Sequence, residues 1–93
     1  MKNYELLVIL NAKLDEANRK ALIEKIKGYL QNNEASIEKV DEWGTKKLAY
    51  PVNYQTEGYY TVIEFKAPAS SIQAVEPKLR IEDNIMRILF TAK

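Results

Sequence analysis

Strands of two-residue alternation enclosing two helix-period stretches predict an α+β domain: a four-stranded antiparallel sheet with two helices on one face. Three observations carry this. The elements run β-α-β-β-α-β, the split βαβ order of the ferredoxin-like fold. The chain has 93 residues without linker or repeat, which suits a single domain over 1–93. Pro51 and the adjacent Lys46-Lys47 mark the second strand as an edge, because proline donates no ladder hydrogen bond and charge deters further pairing. Right-handed crossovers then give the strand order 4-1-3-2.

Each element follows from its own residues. Residues 2–10 are rich in branched apolar side chains and too short for a helix. Tyr4, Leu6, Val8 and Leu10 form the inward face of this first strand. Asp15 is a natural N-cap for a helix over 15–32, with Leu22, Ile23, Ile26, Tyr29 and Leu30 at helical spacing. Gly28 costs that helix about 1 kcal/mol against alanine. Residues 37–52 make a long, bent second strand with a bulge near Gly44, since Ile37, Val40 and Trp43 break the alternation that Leu48, Tyr50 and Val52 keep. A turn is expected over 53–58 and a third strand over 59–66, Tyr59, Thr61, Ile63 and Phe65 on one face and Tyr60, Val62, Glu64 and Lys66 on the other. Pro68 and Ser70-Ser71 open a second helix that turns Ile72, Val75 and Leu79 inward. Pro77, costing about 3 kcal/mol in a helix interior, predicts a kink or an early end. The last strand, 85–92, has Met86, Ile88, Phe90 and Ala92 on its inward face.

Composition narrows the chemistry. Neither cysteine nor histidine is present, so the commonest nucleophiles, general bases and soft-metal ligands are missing. The 13 acids are scattered among 14 bases without a carboxylate cluster, and catalysis, cofactor and metal are not expected. No membrane span is expected either, because no apolar run reaches roughly 18 residues. Freedom from cysteine and a start directly in a strand point to the cytoplasm. The net charge of +1 does not announce nucleic acid, yet it leaves room for a basic stripe.

Two helices cannot cover both faces of four strands. Leu7, Ile9, Tyr60, Val62 and Leu89 fall together on the open face, a larger apolar patch than a solvated sheet usually shows. The patch is either covered by loops or the bent second strand, or it docks a protein or bases. Lys2 and Lys93 meet at one strand end, and Arg87 lies further along the last strand; the three suit a phosphate backbone. Gly58 to Phe65 looks faintly like the third-strand signature of the RNA recognition motif, but only Tyr60 is placed to stack.

The stretch Gly44-Thr45-Lys46-Lys47-Leu48-Ala49-Tyr50, together with Tyr4-Glu5 and Asp83-Asn84 ahead of Arg87, resembles the bacterial ribosomal protein S-six family over the whole chain. Ala12 stands where that family commonly has proline, and Lys46-Lys47 where arginine is frequent. The resemblance implies a structural role in the small subunit: binding the central domain of its ribosomal RNA together with ribosomal protein S-eighteen. It carries over Lys46, Lys47 and Arg87 to the RNA or partner surface, with Leu48 and Tyr50 as packing. Lys2 and Lys93 come from strand geometry alone. The expected RNA-binding set is therefore Lys2, Lys46, Lys47, Arg87 and Lys93, and the expected partner surface is Leu7, Ile9, Tyr60, Val62 and Leu89. Two other classes share the architecture. An acylphosphatase needs an arginine-bearing phosphate loop where this chain has Asn11-Ala12-Lys13-Leu14, and a small-molecule-sensing domain is usually fused to an enzyme.

Overall fold

The computed structural model of the chain describes residues 2–52 and 55–93. Its elements are β1 (Lys2–Asn11), α1 (Glu16–Gln31), β2 (Ser36–Val52), β3 (Gln55–Ala67), α2 (Ala69–Arg80) and β4 (Ile85–Ala92). The strands form one antiparallel sheet in the order β2-β3-β1-β4, the expected order read from the other edge. Alternation fixes which side each residue takes. Leu6, Val8 and Leu10 of β1 and Ile63 and Phe65 of β3 pack in one core with Leu22, Ile26 and Leu30 of α1 and Val75 and Leu79 of α2. Phe65 stacks on Tyr4 and meets Phe90 edge-on.

The ends of α1 follow local chemistry. The Asp15 carboxylate accepts from the Asn18 backbone N–H at 2.8 Å, satisfying a donor that the first turn leaves orphaned. The second helix departs from expectation. It continues through Pro77 to Arg80, because Pro77 and Gln73, whose carbonyl it leaves unbonded, both face solvent while Val75 and Leu79 are fully buried. Ser71 is buried at the start of this helix and its hydroxyl donates to the Asn33 carbonyl, tying α2 to the turn that follows α1.

The edges carry the irregularities. The β1–β3 ladder runs without a shift from Lys2↔Ala67 to Asn11↔Gly58. Of the turn expected over 53–58, Asn53 and Tyr54 lie outside the described residues, and Gln55 to Gly58 belong to β3. On the β2 side, Trp43 is an extra residue between Glu42↔Thr61 and Gly44↔Tyr60. Gly44 there takes φ +91°, a conformation that other residues adopt only under strain, as a bulge at this glycine requires. On the β4 side, a shift between Ile9 and Leu10 pairs Leu10 with Ile85. Ile85, not Met86, therefore joins Ile88 and Phe90 against the core, and Ala92 is exposed.

Candidate functional site

The face of the sheet away from the helices divides into three parts along β1. At the first end Glu5 stands directly opposite Glu64, and Lys93 resolves the repulsion by reaching both carboxylates, Glu5 at 3.5 Å and Glu64 more closely. The hydrogen bond to Glu64 holds the Lys93 ammonium above the ordinary lysine range. In the middle, Leu7, Ile9, Tyr60, Ile88 and Leu89 line a shallow groove of about 350 Å³ that ends at Arg87. Leu89 is 57% exposed there.

The third part is built by β2. Between Lys47↔Glu57 and Val52↔Gln55 the residues Leu48, Ala49, Tyr50 and Pro51 stand against Thr56 alone. The surplus length carries this segment over the open face. Leu48, Ala49 and Tyr50 enclose a cavity of about 90 Å³ with Ile9, Tyr60, Met86 and Arg87. Gly58 makes the approach possible: a β-carbon there would collide with Cγ2 of Ile9 and touch Leu48. The Arg87 guanidinium sits 5.3 Å from the centre of the Tyr50 ring, so the outer edges β2 and β4 meet across the sheet.

This geometry redistributes the expected residues. Ile9 and Val62, only 6% and 4% exposed, lie beneath other atoms of the chain, so of the expected partner surface Leu7, Tyr60 and Leu89 retain accessible side chains. Of the basic set, Lys2 and Lys93 share one end of the sheet, Lys93 bonding its backbone N–H to Asn3. Arg87 is at the opposite end, facing Ile9, and is brought together with Leu48 and Tyr50 rather than with Lys93. Lys46 and Lys47 are exposed on the β2 edge, and Lys46 lies 5.3 Å from the centre of the Trp43 ring. Among the described residues, no carboxylate comes within ion-pair distance of Lys2, Lys46, Lys47 or Arg87. Three of these four free charges therefore lie at the β2 and Arg87 end; Lys2 stands at the other end, where Lys93 is offset by two acids.

Sequence reasoning missed three contributors. Gly58 and Met86 enter the site through packing and a bulge, and Trp43, 52% exposed, stands out on the same edge. Only Trp43 left a sequence signal, as an aromatic residue breaking the alternation beside a glycine.

The family described as Ribosomal protein S6 matches residues 3–92. The small ribosomal subunit protein bS6 of Clostridium novyi (strain NT) is 51% identical over 89 residues, 96% of this chain and 94% of that protein. That of Halalkalibacterium halodurans is 42% identical over 91 residues, covering 98% and 96%. The crystal structure of 30S ribosomal protein S6 from Thermotoga maritima superposes with a TM-score of 0.94 at 29% identity, over 99% of this chain and 87% of that one. The C-terminal domain of the MgtC protein from Mycobacterium tuberculosis, at 9% identity and a TM-score of 0.67, shares the fold alone. With the match running almost from end to end, the chain belongs to the ribosomal protein S6 family: a protein of the small subunit of the bacterial, cytoplasmic ribosome, and not an enzyme.

Proposed function

We propose that this chain binds the central domain of small-subunit ribosomal RNA jointly with ribosomal protein S-eighteen, the protein docking on the open face and the RNA on the basic edge beside it. The observation that carries this reading is the open face itself. An exposed Leu89 beside Leu7 and Tyr60 borders a cluster of uncompensated charge at Lys46, Lys47 and Arg87. Apolar contact area suits a protein partner, and unpaired cations suit phosphates. Arg87 is the principal phosphate contact in this reading, with Lys46 and Lys47 beside it. Lys2 and Lys93 form a second, weaker contact, because Lys93 also serves Glu5 and Glu64.

The test is a titration against central-domain RNA at two salt concentrations, with and without S-eighteen. Tight, salt-sensitive binding that depends on the partner is expected. Replacing Arg87 by Glu should weaken it and lower the slope of log affinity against log salt by about 1. Equal binding to unrelated RNA, indifferent to the partner, would overturn the assignment.

A further inference from the structure

We propose that the β2 edge from Trp43 to Tyr50 is a stacking site for unpaired RNA bases. This rests on the RNA-binding reading above and adds to it a second kind of contact, made to bases rather than to phosphates. Trp43 and Tyr50 are 52% and 53% exposed, an unusual expense of aromatic surface on a chain with one tryptophan. Neither position is accidental. Trp43 is the extra residue of the Gly44 bulge and has no partner residue on β3. Tyr50 belongs to the surplus segment between Lys47 and Val52.

Each ring also carries a cation. Lys46 Nζ lies 5.3 Å from the centre of the Trp43 ring, and the Arg87 guanidinium lies 5.3 Å from that of Tyr50. A cation occupies one face of a ring and leaves the other for a flat partner. Exposed rings alternating with unpaired basic side chains are what a single strand requires: bases stack on the rings while the charges follow the backbone. A second protein strand is a poor occupant, because the lysines and bulges of this edge work against strand pairing. Duplex RNA keeps its bases stacked on one another and offers this edge only phosphates.

Trp43 reports on its own occupancy, since its fluorescence is the protein's only indole signal. The full chain is titrated with an adenosine- and uridine-rich single-stranded octamer and with a blunt-ended, fully paired RNA duplex at equal phosphate concentration, binding being followed independently by anisotropy of labelled RNA. The octamer is expected to quench Trp43 emission, and the duplex to leave it nearly unchanged. Trp43→Leu should weaken octamer binding about tenfold, Trp43→Phe should recover most of the loss, and duplex binding should be indifferent to both. Tyr50→Leu should weaken octamer binding while the Trp43 signal persists. Unchanged emission on octamer binding, or equal affinity of Trp43→Leu and the parent chain, overturns the stacking site. If central-domain RNA still binds with S-eighteen in that case, the RNA-binding reading stands alone; if no RNA binds, both fall.

Discussion

At position 58 there is room for a hydrogen atom and little else. Gly58 is buried between Ile9 and Leu48, and its φ is ordinary, so the constraint is space rather than backbone conformation. Ile9 Cγ2 is fixed close to its own β-carbon and cannot swing aside as a flexible chain end would. Gly58→Ala should therefore destabilise the fold by about 1–3 kcal/mol, seen as a lower urea midpoint at unchanged slope. An unchanged midpoint would mean that Leu48 and its segment are free to lift. Gly44 is constrained by the opposite cause: there is open space around it but a positive φ. That difference decides what a sequence shows. A glycine inside an alternating strand announces a bulge, and Gly44 is read correctly. Gly58 reads as part of a turn, because the atom that excludes a side chain belongs to a strand far away in the chain.

The elements show where periodicity suffices and where it misleads. Helical spacing and the Asp15 cap place α1 to within a residue at each end. Pro77 predicts a break that packing overrides, since the buried Val75 and Leu79 straddle it on the core side. Restoring the missing donor with Pro77→Ala should stabilise the protein. The interior penalty of about 3 kcal/mol is relieved, less about 1 kcal/mol for the freedom that the unfolded chain regains. A net gain of about 2 kcal/mol should appear as a higher Tm, and a lower Tm would show that the helix is shaped around the ring. In β4 the alternation places Met86 inward, one residue from the truth. The bulge that shifts it contains no glycine or proline, so nothing in the local sequence records it.

Across the whole molecule, ion pairs join elements without being buried. Lys25 of α1 reaches Glu82 beyond α2 at 2.6 Å, Lys93 joins β1 and β3, and Tyr59 of β3 donates to Glu42 of β2 at 2.9 Å. Hydrogen bonds to Glu82 and Glu64 raise the two ammonium groups above the usual lysine range, and burial, then Glu42, raises the Tyr59 phenol. In all three the protonated form is favoured in the folded state. Their contribution is thus complete below the unfolded-chain values near pH 10 and lost as pH rises through the higher folded ones. Urea midpoints should stay level from about pH 7 to 9 and fall once the pH passes the unfolded-chain values near 10; a midpoint that does not fall there would show these pairs to be worth nothing. The topology of the sheet was legible because every strand carries its own alternation and Pro51 names an edge. The candidate functional face was legible only in part. Parity identifies which residues face away from the helices, but the covering of Ile9 depends on four β2 residues standing against one.

That surplus has a bearing on descent. The ten consecutive pairs of β1 with β3 tolerate no change of length, since one residue gained or lost would turn a whole strand inside out. Between Lys47 and Val52 the ladder already accommodates unmatched residues, so insertions and deletions there leave the central strands where they are. A longer or shorter segment over the open face would thus present a different surface to a neighbour without moving the framework that carries it.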